Sequence, residues 1–228
     1  METAKPWLKH YQKGVPESIN PGHYRSVPHL LEAACRKHGK APAFANMGAT
    51  ITYAELDRLS SDFAAFLRSL PGMERGERVA IMMPNLLQYP VAIFGVLRAG
   101  LVAVNVNPLY TERELEHQLQ DSGARAILVL ENFAAKVQSV LAATALEHVI
   151  VTQVGDLFRL PKRVLTNIAV THIKKMVPRW HIPQAVFFLQ ALATGQARAF
   201  PDINPHAEDI AFLQYTGGTT GSAKGVML

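Results

Sequence analysis

A chain of 228 residues, 49% of them hydrophobic, is long enough for one large domain or two small ones with a sizeable core. Its net charge of +5 suits anionic ligands or an anionic membrane surface, but no zinc pattern, RNA-binding signature or aromatic-basic ladder supports nucleic acid as a partner. Cys35 is the only cysteine, which excludes an intrachain disulfide and fits a reducing compartment.

The first part of the chain predicts an irregular arm, a helix and a hairpin. Residues 1–25 are polar and broken by proline, without the apolar core of a signal peptide. A helix is predicted over 26–38, and a hairpin around Gly48. No stretch approaches the roughly 20 apolar residues of a membrane span. We therefore expect a cytoplasmic protein.

Apolar strands then alternate with helices as far as residue 154. Thr52 and Glu55 have the spacing of a capping box, in which each satisfies the other's free N–H group, and they begin a helix. Strands are predicted at 78–83, 101–105, 125–130 and 148–152. Helices are predicted from a cap at Asn85 to Arg98, from a second capping box at Thr111 to Asp121, and over 132–144. This order predicts an α/β layered domain, with a mostly parallel sheet flanked by helices.

The segment 155–195 is strongly basic. Asp156 is its only acidic residue. Its cations are Arg159, Lys162, Arg163, Lys174, Lys175 and Arg179. Apolar residues recur among them near helical spacing, which predicts a basic amphipathic helix. Such a helix either lies at a membrane interface or is a surface helix with a solvated basic face, and periodicity leaves both open.

The most informative pattern closes the sequence. An apolar strand is predicted at 210–215, and Val226-Met227-Leu228 starts another. Between them lie three glycines that let the backbone approach a ligand, four hydroxyl side chains and a lysine suited to phosphate: Gly217, Gly218, Gly221, Thr216, Thr219, Thr220, Ser222 and Lys224. The spacing excludes a Walker A loop, because two residues separate Gly221 from Lys224. The pattern predicts a phosphate-binding loop.

This loop resembles the signature loop of the adenylate-forming, or acyl-activating, superfamily. Residues 105–124 closely resemble a stretch of bacterial long-chain fatty acid–CoA ligases, the FadD-type acyl-CoA synthetases. Residues 51–56 and 78–85, and the basic insertion that ends in 177–183, are typical of acyl-CoA synthetases. The resemblance implies that ATP and a fatty acid give an acyl-adenylate with the help of Mg²⁺, and that coenzyme A then displaces AMP. It implies that ATP contacts Tyr215, Thr216, Gly217, Gly218, Thr219, Thr220, Gly221, Ser222, Ala223, Lys224 and Gly225.

The resemblance also implies later elements that this sequence does not contain. They are an adenine and magnesium motif, a ribose-binding aspartate, a hinge and a small domain with the catalytic lysine. We therefore expect an inactive N-terminal fragment of such a ligase, with no catalytic residue of its own and no assigned metal ligand. The predicted parts are an arm (1–25), an α/β subdomain (26–154), a basic helical insertion (155–200), and a strand with the ATP loop (201–228) that starts a truncated second subdomain.

Two other functions stay open. One is an adenylate-forming ligase for another carboxylic acid, because specificity resides largely in later residues. The other is a non-catalytic, membrane-associating module that uses residues 155–195, which would place the protein peripherally on the inner face of the membrane. A homodimer also stays open.

Overall fold

The computed structural model describes residues 5–198, 203, 205–206, 208–216 and 223–228. Its α-helices are α1 (Val27–His38), α2 (Tyr53–Arg68), α3 (Gln88–Arg98), α4 (Glu112–Ser122), α5 (Ala134–Val140), α6 (Lys162–Ile168) and α7 (Phe188–Gln196). Its strands are β1 (Pro42–Asn46), β2 (Ala49–Thr52), β3 (Arg78–Met82), β4 (Val102–Asn105), β5 (Ala126–Leu130), β6 (His148–Thr152), β7 (Val186–Phe187), β8 (Phe212–Thr216) and β9 (Lys224–Met227).

The strands form a hairpin and one large sheet. β1 pairs with β2, and the large sheet has seven strands in the order β7-β6-β5-β3-β4-β8-β9. All neighbours in that sheet are parallel except β8 and β9. The predicted fold class is therefore confirmed. The carboxyl ends of β3, β4, β5, β6 and β8 all lie along one edge.

Apolar side chains are buried on both faces of the sheet. On one face, α1, α2, α3 and α7 contribute a cluster that contains Phe63 and Phe188, both fully buried. On the other face, α4 and α5 contribute a second cluster that contains Leu115 and Val137. Strand residues alternate between the clusters, as the pleat requires. This burial explains why the central strands are almost continuously apolar.

The local signals at the starts of α2 and α4 are confirmed. Both capping boxes form, since the hydroxyls of Thr52 and Thr111 accept from the backbone N–H of Glu55 and Glu114. Each glutamate carboxylate accepts in return from the backbone N–H of its threonine. Gly123 ends α4 at a φ of 60°, in the left-handed region that glycine adopts without strain.

The prediction that Asn85 caps the third helix is wrong. That helix begins at Gln88, and its N-cap is Leu87, without a capping side chain. The Asn85 carbonyl accepts from Asn46 Nδ2 at 3.0 Å, while the Leu86 N–H bonds to the Pro84 carbonyl at 2.8 Å. The chain therefore turns against the hairpin before the helix can start.

The basic segment forms less helix than its periodicity predicts. α6 continues as a π-helical turn over Ala169–Ile173. Lys175 then adopts a φ of 50°, and the chain runs without regular structure as far as β7. The last part of the segment joins the sheet as β7 and the core as α7. Within the described ranges, no helix has the length and apolarity needed to cross a membrane. The boundaries of the domains stay a prediction.

Candidate functional site

The predicted phosphate loop connects β8 to β9 at the carboxyl edge of the parallel strands. In an open α/β sheet this edge is where ligands bind. The antiparallel ladder pairs Thr216 with Lys224 and Tyr215 with Gly225, so both ends of the loop are side by side. The strand–loop–strand setting expected from the sequence is therefore present. Residues Gly217–Ser222 lie outside the described residues.

Tyr215 is the buried residue of β8 and points away from solvent. It lies two positions after Leu213, so both side chains face the second cluster. Its hydroxyl donates a hydrogen bond to Asp121 Oδ2 of α4 at 2.5 Å. Burial and the neighbouring carboxylate raise the pKa of the Tyr215 phenol. The side chain is therefore a neutral donor fixed to α4.

Gly225 allows β9 to approach this ring closely. A Cβ at Gly225 would lie 3.0 Å from Cζ of Tyr215 and 3.1 Å from its Cε2. Real Cβ atoms rarely come so close, so a larger residue would displace the ring or the strand. Ala223 packs partly against the same cluster.

A polar network joins the ends of β4 and β8 on the approach to the loop. Asn105 and Gln214 are register partners, and Asn105 Nδ2 donates to Gln214 Oε1 at 2.8 Å. The Tyr89 hydroxyl donates to Asn105 Oδ1 at 2.9 Å, and Gln118 Nε2 donates to the Asn105 carbonyl at 2.8 Å. These bonds fix the residue that precedes Tyr215.

The first and last residues of the loop face solvent. Thr216 and Lys224 are exposed, opposite each other in the ladder. A hydroxyl and an ammonium group are thus available at the two ends of the loop, beside the carboxyl edge of the sheet. Both groups suit phosphate oxygens.

Sequence reasoning missed Asp121 and Asn105. Asp121 was expected only as the end of a helix, and its partner is 94 positions away. Asn105 was expected only as the last residue of a strand. A local pattern gives no signal for such contacts, although a polar residue at the carboxyl end of a buried strand marks the edge where ligands bind.

A second polar cluster lies at the end of β6, four places from β8 in the strand order. Asp156 is 5% exposed and accepts hydrogen bonds from the Thr152 hydroxyl at 2.9 Å and the Gln153 N–H at 2.8 Å. Asn167 of α6 donates to Gln153 Oε1 at 2.9 Å and accepts from the Gly155 N–H at 2.8 Å. The cluster thereby ties α6 to the sheet.

Comparison with known proteins places the whole arrangement in a family. The sequence profile of the family described as AMP-binding enzyme matches residues 31–228. The long-chain-fatty-acid–CoA ligase of Salmonella typhimurium is 51% identical over 224 residues, which are 98% of this chain and 40% of that protein. The chain thus spans about 40% of the length of the curated relatives that it matches.

Solved structures give the same result. A long-chain-fatty-acid-CoA ligase from Archaeoglobus fulgidus superposes with a TM-score of 0.68 at 26% identity, over 96% of this chain and 39% of that one. The anthranilate CoA ligase AuaEII gives a TM-score of 0.71 over 90% of this chain and 34% of that one. At 21% identity, this second likeness concerns the fold alone.

Proposed function

Because the chain belongs to the AMP-binding enzyme family, we propose that it forms the ATP-phosphate-binding part of a long-chain fatty acid–CoA ligase. The observation that carries the proposal is that the paired strands β8 and β9 bring Thr216 and Lys224, the two ends of the predicted loop, together at the carboxyl edge of the sheet. The fatty acid as substrate is supported by the Salmonella and Archaeoglobus relatives, whose names give long-chain fatty acids. ATP is supported by membership of the AMP-binding enzyme family, and coenzyme A by the names of the same two relatives.

The proposed reaction has two steps. The fatty acid carboxylate attacks the α-phosphorus of ATP, so that an acyl-phosphate bond forms and pyrophosphate leaves. The thiol of coenzyme A then attacks the acyl carbon and releases AMP. The difficulty in the first step is that an anion approaches a phosphate that already carries negative charge.

The role of this chain is to relieve that repulsion. Backbone N–H groups of the loop, from Gly217 to Ser222, would donate to the phosphate oxygens. The Thr216 hydroxyl and the Lys224 ammonium group would add a donor and a positive charge from the two ends of the loop. Preorganised donors stabilise the charge that develops on the departing pyrophosphate.

ATP is proposed to bind together with Mg²⁺. In the part of the chain that the structure describes, no three His, Cys, Asp or Glu side chains are grouped to hold a metal ion. Mg²⁺ is commonly held by substrate phosphates with one or two carboxylates and several waters, so ATP itself would supply part of its ligands. It would neutralise part of the phosphate charge.

Nucleotide binding by the 228-residue chain tests the role of the loop. Titration with ATP and Mg²⁺, followed by the backbone amide resonances, is expected to shift Thr216, Lys224 and Gly225. Lys224→Ala is expected to weaken binding about ten-fold, because one charge-assisted contact is lost. Lys13→Ala, in the exposed N-terminal arm, is the matched control. Shifts confined to other surfaces, or equal affinity of Lys224→Ala and wild type, would contradict the proposal.

We propose a second function for the basic segment, which is contact with an anionic membrane. In α6 no residue is buried, and its polar Asn167 bonds to Gln153 and Gly155 in the turn that follows β6. Its apolar side chains are exposed instead, Leu165 by 63% and Ile168 by 46%. Ile173, in the π-helical turn, is 74% exposed. A solvated surface helix buries its apolar side chains and exposes its polar ones. The exposed apolar side chains of α6 therefore support the interpretation that this helix lies at a membrane interface.

Vesicle binding separates the two interpretations. Leu165→Glu combined with Ile168→Glu is expected to reduce co-sedimentation with phosphatidylserine vesicles, because it places charge on the exposed apolar face. Ile19→Glu, at a residue that is 84% exposed in the N-terminal arm, is the control. Unchanged binding of the double variant would contradict the membrane role. The cytoplasmic, membrane-peripheral location expected from the sequence stays a prediction.

A further inference from the structure

The ring of Tyr215 contacts the helix and both strands that lead into the phosphate loop. Its hydroxyl is bonded to Asp121 in the last turn of α4. The hydroxyl end of the same ring lies against the backbone of β9, where a Cβ at Gly225 would come within 3.0 Å of Cζ. One side chain therefore lies between α4 and the first residues of β9.

In the described part of the chain, β9 has few other contacts that hold it in place. β9 is exposed along its whole length, and its described pairing is with β8 alone. The distance between the two ends of the loop thus depends on the β8–β9 ladder and on the contacts that fix the Tyr215 ring. A hydrogen bond to a carboxylate is among the stronger ones, and a buried phenol without a partner is costly.

We propose that Asp121 and Tyr215 are positioning residues for the phosphate loop. The Asp121 carboxylate holds the Tyr215 phenol on Gly225, and this sets the distance between the loop ends at Thr216 and Lys224. Tyr215 acts through the backbone of the hairpin and leaves the phosphate contacts to the loop. The inference rests on the proposed phosphate-binding function, to which it adds the residues that shape the site.

Three substitutions isolate the contact. Tyr215→Phe keeps the ring and removes the donor, Asp121→Ala removes the acceptor, and Asp121→Asn keeps an acceptor oxygen without the charge. Tyr11→Phe is the control, since Tyr11 is 44% exposed. Amide hydrogen exchange of the 228-residue chain is expected to quicken about ten-fold over Lys224–Met227 in the first two variants.

Exchange in β5 should stay unchanged, which separates a local effect from general loss of stability. Asp121→Asn should restore much of the wild-type exchange in β9, because its amide oxygen can still accept. Equal exchange in β9 for Tyr215→Phe, Asp121→Ala and wild type would overturn the proposal.

Pyrophosphate titration of the same proteins tests the consequence for the site. The dissociation constant is expected to rise about ten-fold in Tyr215→Phe and Asp121→Ala, and to return towards the wild-type value in Asp121→Asn. If every variant binds pyrophosphate as tightly as the wild-type chain, the positioning role is overturned, while the proposed function is not contradicted. Failure of the wild-type chain to bind pyrophosphate contradicts the proposed function itself, and the positioning role with it.

Discussion

At the scale of single residues, the buried Asp156 is expected to make stability depend on pH. Burial raises its pKa, although the Gln153 N–H and the Thr152 hydroxyl oppose that rise by donating to the carboxylate. The positive charge of the half-buried Arg163 also opposes the rise in the pKa of Asp156. Desolvation is the largest cause, so the folded chain holds this proton to a higher pH than the unfolded chain does.

Comparison with Asp156→Asn is expected to isolate this group. Its unfolded pKa is about 3.9, and its folded pKa is higher. Wild-type stability relative to the variant should therefore be greatest below about pH 4 and fall as the pH rises through the folded pKa, then level off. Urea unfolding of both proteins across this range measures the difference. A relative stability that increases with pH would show that the donors and Arg163 outweigh burial.

At the scale of elements, α7 belongs to the core although its sequence lies in the basic segment. Phe188 is fully buried, and its ring lies 5.3 Å from that of Phe63 in α2. Gly195 permits the close approach of these helices, because a Cβ there would lie 1.7 Å from the Asp62 carbonyl oxygen. The three atoms nearest to that Cβ all belong to the backbone of α2, so no flexible side chain can move aside.

Gly195→Ala is therefore expected to destabilise the chain by at least about 2 kcal/mol, despite the better helix propensity of alanine. Gly22→Ala is the matched control, since its Cβ would meet only Asn20 Oδ1 at an ordinary 3.4 Å. The free energies of unfolding in urea give the comparison. A loss for Gly195→Ala no larger than that of Gly22→Ala would contradict the packing of α7 on α2.

The elements with local signals were predictable from the sequence, and those set by distant contacts were not. The capping boxes at Thr52 and Thr111 and the apolar strands depend on neighbouring residues, so their positions are confirmed. The start of α3 depends on the bond between Asn46 and the Asn85 carbonyl, which no local pattern contains. The same holds at the candidate site, where the loop was found by its residues but the Asp121–Tyr215 contact joins distant parts of the chain.

At the scale of the whole molecule, the length of the relatives limits what this chain is expected to do. It spans 40% of the Salmonella ligase. The loop supplies phosphate contacts, while the resemblance assigns the adenine, ribose and catalytic lysine contacts to the remaining part of such proteins. The chain alone is therefore expected to form no acyl-CoA from oleate, ATP, Mg²⁺ and coenzyme A. Product above the enzyme-free blank, measured by chromatography, would contradict this expectation.

The most direct test joins this chain to the part of the Salmonella ligase that lies outside the matched residues. We expect the hybrid to form oleoyl-CoA only when both ATP and coenzyme A are present, and Lys224→Ala to lower its kcat/KM for ATP by at least about ten-fold. A hybrid that unfolds cooperatively and binds ATP, yet forms neither acyl-adenylate nor acyl-CoA from any fatty acid, would contradict the proposal that this chain is the phosphate-binding part of a fatty acid–CoA ligase.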